Sequence, residues 1–395
     1  MRVLCTAIAS AGHVNPLLPL ARSLAAAGHD VTLAAGATAA TTAKRERFGF
    51  VEAGLAEPQL VARSEAQLGG VAAARRGIAM FATIAAPALL RDLLPKLDHL
   101  APDLVIHEEG EWGGPVLAAI AGIPAVALGW GAPLWTAEEL ETITDATAPL
   151  WREHDVAPAS PAGLFDWLYV DTCPPLLQDV RATRLPGRRT IRFEPFDSGE
   201  PLPPSLEIPS EQPVVSATLG TVPTFNNAPE VMAAIAEALG ELAVDGVLTI
   251  GANNDPAELQ PLPGNVRAER HLSQVQVFTR SAVAITHGGA GSTLAALAFG
   301  VPLLLLPRGA PSQRRLASAC VAEYAALALD PSEATAQTIR EAVRTLLENG
   351  SYGASARRIR ESMREQPEAE TLVPDLEALA SDGRSRPQPR SQARR

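Results

Sequence analysis

The chain has 395 residues, 47% of them hydrophobic and 19% charged, which fits a globular protein of two domains. Its net charge of −11 argues against a nucleic-acid partner. Three scattered cysteines, Cys5, Cys173 and Cys320, form neither a disulfide framework nor a zinc pattern, and a cytoplasmic location is expected.

Arg2–Ala9 predicts a strand. Its apolar part mimics a signal peptide, but it is short and Gly12-His13-Val14-Asn15-Pro16 interrupts it. No uninterrupted apolar run of about 18 residues occurs, so no transmembrane helix is expected. Ser10–Asn15 reads as a loop, Pro16–Ala27 as a helix stopped by Gly28, and Asp30–Ala34 as a second strand. Asp103–Ile106, the helix Gly114–Ala121 and Ala125–Leu128 repeat this rhythm. Strands that alternate with helices imply a parallel sheet with crossovers. Glu194–Pro213 holds six prolines and reads as an interdomain linker.

A second series follows: strand Val214–Thr218, helix Pro229–Leu242, strands Gly246–Ile250 and Asn265–Glu269, and helix Ser273–Thr279. The most informative stretch is Ala282–Pro307. It reads as strand Ala282–Thr286, loop His287–Gly291, a helix capped by Ser292-Thr293 and running to Phe299, and strand Val301–Leu306. A helix N-terminus facing a loop almost without side chains is a ready anion site. The pattern is neither G-x-G-x-x-G nor a P-loop, which disfavours a dinucleotide-dependent oxidoreductase. Ala334–Glu348, Ala354–Glu365 and Glu370–Ala380 read as closing helices. The fold class is thus α/β: two doubly wound, Rossmann-like domains, 1–200 and 214–365, joined by a linker at 201–213 and facing a central cleft. Residues 366–380 are expected to pack back on the first domain, and 381–395 to be a disordered tail.

Of seven histidines, two stand at strand ends in small-residue loops: His13 and His287. An acidic partner for His13 would come from another strand end, and Glu108 lies just past Asp103–Ile106. A carboxylate there could orient the imidazole and stabilise the imidazolium. A solvated acidic loop is an equally weighted reading. Thr218-Leu219-Gly220-Thr221 at another strand end suits phosphate or sugar contact, although an ordinary turn has the same composition. All five tryptophans lie in the first domain, and Trp112, Trp130 and Trp135 fall on loop-like stretches near Met80-Phe81. They could wall an apolar ligand site, although core packing is the safer reading of each one alone. There is no Asp-x-Asp and no ligand spacing for zinc, so no metal is expected.

Taken together, Gly12–Pro16, Pro102–Glu108, Ala121-Gly122-Ile123-Pro124, Gly129-Trp130-Gly131, Thr218–Thr221 and His287–Thr293 resemble the motifs of the nucleotide-sugar-dependent glycosyltransferases of the GT-B fold, in particular the actinobacterial natural-product enzymes. The resemblance implies inverting transfer of a sugar to a hydroxyl of an apolar aglycone in the first domain. His13 would be the general base and Glu108 its partner, where the family usually has Asp; Glu109 or Glu111 could substitute. Gly12, Asn15, Met80, Phe81, Trp112, Trp130 and Trp135 would line the acceptor site. The donor would lie on Thr218, Gly220, Thr221, His271, Leu272, Gln274, His287, Gly288, Gly289, Ala290, Gly291, Ser292, Thr293, Ser312 and Gln313. Two departures stand out: His271-Leu272-Ser273-Gln274 replaces the family's Trp-Val-Pro-Gln, and Ser312-Gln313 replaces Asp-Gln. Loss of that carboxylate suits a deoxygenated sugar, so a dTDP-deoxysugar is expected as co-substrate, with no cofactor and no metal. UDP-glucose as donor, a sugar-nucleotide epimerase and a non-catalytic auxiliary homologue are the alternatives. The loop tryptophans argue against an epimerase, and the retained base and diphosphate motif argue against an auxiliary subunit. A homodimer is compatible with this reading.

Overall fold

The computed structural model describes residues 1–203, 206, 211–222 and 226–385. Two all-parallel sheets organise them. The first contains β1 (Arg2–Thr6), β2 (Asp30–Ala35), β3 (Gly49–Glu52), β4 (Leu104–Glu108), β5 (Ala125–Leu128), β6 (Leu168–Asp171) and β7 (Arg188–Thr190), in the order β3-β2-β1-β4-β5-β6-β7. The second contains β8 (Val214–Thr218), β9 (Asp245–Thr249), β10 (Val266–Glu269), β11 (Ser281–Thr286), β12 (Leu303–Leu305) and β13 (Ala326–Ala328), in the order β10-β9-β8-β11-β12-β13. In both sheets the order reverses beside the first strand, between β1 and β4 and between β8 and β11. Right-handed crossovers put helices on opposite faces to either side of such a point, and a crevice opens there at the carboxyl ends of the strands.

Both faces of each sheet are covered. In β1, Val3 and Cys5 join a cluster with Leu20, Leu24, Leu33 and Ile106, while Leu4 joins the opposite cluster with Leu90, Trp112 and Tyr169. The alternation is the period of a strand buried on both sides. Cys5, Cys173 and Cys320 are buried free thiols. Cys173, Leu177 and Phe193 pack with Leu294, Leu297 and Leu316, so one core runs across the boundary between the sheets.

Several boundaries differ from the sequence reading. The loop expected at Ser10–Asn15 is largely helical: Ala11–Val14 forms one α-turn, Asn15–Leu17 a 3-10 turn, and Leu18–Ala26 the main helix. Pro16 and Pro19 have no N–H to give to the carbonyls one turn back, so the chain tightens instead of running as one α-helix. The strands β3, β6, β7 and β13 were not anticipated; they are only three or four residues long. The continuous helical stretch Arg75–Leu100 is long and apolar enough to cross a bilayer, but half of its most apolar window is buried inside the protein. Ile78, Ala82, Leu89, Leu90 and Leu93 of this stretch belong to the first domain's core.

After the second sheet the chain returns. Leu372, Val373 and Leu376 enter the core of the first domain beside Leu20 and Leu24. The returning segment meets the outgoing one: the Arg192 N–H donates to the Pro367 carbonyl at 2.7 Å, and Arg192 pairs with Glu368. The last helix, Val373–Ser385, continues into what had been expected to be tail. Residues 386–395, and 204–205 and 207–210 of the expected linker, lie outside the described residues. Leu376 has no exposure. Leu376→Ala should therefore destabilise the first domain by about 2–5 kcal/mol, read as a lower urea midpoint; an unchanged midpoint would mean that the returning helix contributes no core.

Candidate active site

His13 lies just past β1 and Glu108 closes β4, the two strands that flank the first reversal point. His13 Nδ1 stands 2.8 Å from Glu108 Oε1. The imidazole is 17% exposed and the carboxylate 0%. With Nδ1–H donating to Glu108, Nε2 is left as the basic nitrogen. Three more donors converge on the same carboxylate. The Ile8 N–H reaches Oε1 at 3.3 Å, while the Gly110 N–H and the Trp130 indole N–H reach Oε2 at 2.7 and 2.6 Å. Burial alone would raise the Glu108 carboxyl, but the electrostatic attraction and hydrogen bond of His13, with the bonds from Gly110 and Trp130, hold it below the usual carboxylate range. Glutamate's extra methylene is thus accommodated.

Glu109 and Glu111 do not substitute for Glu108. Glu109 accepts from the Trp130 N–H at 3.2 Å and the Tyr169 hydroxyl at 3.0 Å. Glu111 accepts from Thr6 and from the Gly113 and Gly114 N–H groups, which start the helix Gly113–Ala121. Glu111 thus satisfies the first N–H groups of the helix from the residue before its N-cap, Trp112.

Aromatic rings enclose His13. Phe81 and Trp130 meet His13 edge-on, with centroids 5.2 and 4.9 Å away, and Trp130 meets Trp135 at 5.7 Å. Phe81 opens a π-helical turn, Phe81–Ala85, ahead of Pro87, which supplies no N–H to the turn before it. Met80 packs beside Phe81 on Ile8, Leu60 and Ile84. Gly12 faces open space, and Asn15 is half-buried. Trp112 needs correction as an acceptor wall. It has no exposure, it packs in the core, and its indole N–H donates to the Glu109 carbonyl at 3.1 Å. Trp135 is nearly buried, with the Arg315 guanidinium 5.1 Å from its ring centroid.

The second reversal point carries the glycine-rich loop. His287 follows β11, and its ring lies between two glycines. A Cβ on Gly220 would come within 2.6 Å of His287 Cε1, and one on Gly289 within 2.4 Å of Nε2. Gly220 and Gly288 have φ of +86° and +78°, which side chains rarely adopt. A Cβ on Gly288 would also sit 3.3 Å from the Gln313 carbonyl oxygen. The β8, β11 and β12 ends therefore interlock. Gly289 is the N-cap of the helix Ala290–Ala298, so Ala290 and Gly291 are already helical and Ser292-Thr293 do not cap it. Gly289 has the extended backbone a cap needs, and its missing side chain leaves room for His287. Ser292 donates to the Gly289 carbonyl at 3.3 Å. A Cβ on Gly291 would meet nothing within 4 Å, so the first turn faces open space.

Some expected donor contacts are spoken for. The Thr218 hydroxyl accepts from Gly220 N–H at 3.2 Å, and buried Thr293 meets Thr286 at 3.3 Å. Thr221 is exposed. Leu272 is buried in the core, so only its backbone remains for a ligand. His271 pairs with Glu200 at 3.2 Å. Gln274 Nε2 lies 3.5 Å from Thr249 Oγ1. Ser312 is half-buried in the first turn of the helix Pro311–Ala322; Gln313 Oε1 accepts the Arg308 N–H at 2.8 Å, leaving its NH2 as donor. Burial, with the charge of Arg308, pushes the His287 imidazole down to about 4. Among the described residues, no group of three or more His, Cys, Asp or Glu could hold a metal.

The two reversal points face each other. A Cβ on Gly131, next to Trp130, would lie 2.3 Å from Leu294 Cδ1 in the helix that starts at Gly289. Arg315 reaches across to Glu139 and to the Pro133 carbonyl at 3.4 Å. The sequence reading missed this clamp, the Trp130–Glu108 bond and Arg308.

Residues 232–379 match a family model described as the erythromycin biosynthesis protein CIII-like C-terminal domain. Over 98% of its length the chain is 32% identical to L-demethylnoviosyl transferase of Streptomyces niveus, covering 99% of that protein. The chain belongs to the GT-B natural-product glycosyltransferases. It is also 28% identical to TDP-daunosamine transferase DnrS of Streptomyces peucetius, with 98% of each chain covered. Among solved structures, spinosyn rhamnosyltransferase SpnG superposes with a TM-score of 0.81 at 22% identity, over 95% of this chain and all of that one. As a member of the family, the chain is a glycosyltransferase, and its reaction is sugar transfer.

The buried carboxyls leave a pH signature. Burial, joined by the Asp171 charge, pushes Glu109 up to about 7. Burial, joined by the Glu108 charge, does the same to Glu111. Between the ordinary value of 4.5 and about 7 the folded protein holds protons that the unfolded chain releases. Stability contributed by these groups is therefore full below that window and falls as pH rises through it, by about 3 kcal/mol per group. Glu109→Gln keeps an acceptor for Trp130 and a partner for Tyr169, so it should flatten the decline in urea-derived stability between about pH 5 and pH 8. Identical slopes for variant and wild type would contradict the shift.

Proposed function

We propose that this glycosyltransferase moves a deoxysugar from a thymidine diphosphate donor to a hydroxyl of an apolar aglycone, with inversion and with His13 as general base. The observation that carries the reading is the 2.8 Å contact between His13 and fully buried Glu108 at one reversal point, opposite the glycine-rich helix start at the other. His13 Nε2 takes the proton of the acceptor hydroxyl. The oxygen attacks the anomeric carbon from the face opposite the nucleotide, the bond to the diphosphate breaks, and the pair stays on the leaving oxygen. Glu108 stabilises the imidazolium that forms. Phe81, Trp130 and the edge of Trp135 offer the aglycone an apolar surface, with Met80, Gly12 and Asn15 beside it. The diphosphate lies on the N–H groups of the Gly289 helix start, near His287, Gly288 and Ser292. The Leu272 backbone, His271 and Gln274 are the candidates for the base.

His13→Ala should lower kcat by at least ~100-fold, the usual range for a general base, with little change in nucleoside diphosphate affinity. Near-wild-type glycosylation by that variant would remove His13 from the role.

The donor assignment rests on Ser312 and on the TDP-sugar in the name of the Streptomyces peucetius relative. A carboxylate at position 312 could accept from two adjacent sugar hydroxyls, whereas a serine asks for less. A sugar lacking one hydroxyl then leaves no buried group unpaired. In a donor panel at fixed acceptor, dTDP-deoxysugars should give the highest kcat/KM. A panel led by UDP-glucose, with dTDP-deoxysugars inert, would overturn the donor while leaving fold and base intact.

A further inference from the structure

A diphosphate departing from a sugar carries negative charge, and the site described so far offers it only neutral donors and a helix dipole. His287 cannot supply a full positive charge near pH 7, since burial and a neighbouring cation hold it at about 4. That cation is Arg308. It follows β12, whose neighbour in the sheet is β11, the strand that leads into His287. Its own N–H is tied to Gln313 Oε1 at 2.8 Å, and Gln313 lies against Gly288, so the Arg308 turn is clamped onto the glycine-rich loop. Its side-chain Nε is buried with no hydrogen-bond partner. Among the described residues, no carboxylate lies within ion-pair distance of it, whereas Arg315, in the same part of the fold, has Glu139. A buried guanidinium nitrogen left without an acceptor is costly. Position 312, in the first turn of the helix that follows, is serine, so that turn brings no acidic group to compete for it.

We propose that Arg308 binds the β-phosphate of the donor and takes up the charge that develops when the anomeric carbon–oxygen bond breaks. The pair left on the leaving oxygen then faces a guanidinium carried on a turn clamped to the loop, and a guanidinium suits phosphate oxygens in a bidentate fork. The proton released by the acceptor stays on His13, so the step balances without a further reactant. The inference rests on the donor-site reading above, and one set of measurements separates the two.

The probe is whichever of TDP and UDP the wild-type protein binds more tightly, titrated calorimetrically alongside its nucleoside. Arg308→Gln should weaken the nucleoside diphosphate at least ~10-fold, as expected for loss of a charge-assisted contact, and leave the nucleoside nearly unchanged. Arg308→Lys should fall between, since it keeps the charge and loses the fork. His287→Ala is the reference. If His287→Ala weakens the diphosphate and Arg308→Gln does not, Arg308 is not a ligand and the donor site stands. If neither changes the affinity, the donor-site reading itself fails. If Arg308→Gln weakens nucleoside and diphosphate equally, Arg308 only shapes the Gln313 turn, and the proposal is overturned.

Discussion

Glu108 is a negative charge without access to water, and much of the first domain's upper edge is arranged by that fact. Stripping water from a carboxylate costs several kcal/mol unless donors replace it. Four converge: the Ile8 N–H from the end of the first strand, His13 from the helical turn after it, the Gly110 N–H from its own loop, and the Trp130 indole from beyond β5. Each donor comes from a different stretch of chain, so satisfying one side chain fixes the positions of four. The imidazole is thereby held in one tautomer, and the indole stands as a wall beside it. Removing the carboxylate would free more than a hydrogen bond.

The second domain solves a different problem with almost no side chains. Gly220, Gly288 and Gly289 let three strand ends approach until His287 fills the gap between two of them. A Cβ at Gly220 or Gly289 would displace the ring, so the spacing of the loops depends on what is missing. The same economy joins the domains, because Gly131 is what allows the Trp130 loop to rest on Leu294. A continuous run of contacts then leads from Glu108 through Trp130 and Gly131 to the helix that follows the glycine-rich loop.

Much of this was legible from the chain alone. The strand–loop–helix rhythm and the small residues after β1, β8 and β11 are local signals, and they located both crevices. Pairing His13 with Glu108 needed β1 beside β4, a relation across 95 residues that only a doubly wound topology supplies. Local composition misled at the caps. Ser292 and Thr293 have the right chemistry, but Gly289 is the cap because the position beside His287 admits no side chain. Trp112 sits in a loop-like stretch, yet it is core, since the chain turns there to start a buried helix. Neither Glu109 nor Arg308 could be assigned from sequence. A residue's partner, or its lack of one, is a property of three dimensions.

The chain passes between the domains twice, and the passages lie side by side: Arg192 on the way out is hydrogen-bonded to Pro367 on the way back. Two adjacent tethers define a hinge line. Rotation about that line strains neither of them, whereas sliding or twisting the domains past each other would shear the bond that joins them. Arg315 with Glu139 adds a further link between the two domains. The angle between the domains, rather than their register, is thus the one freedom that the paired tethers leave.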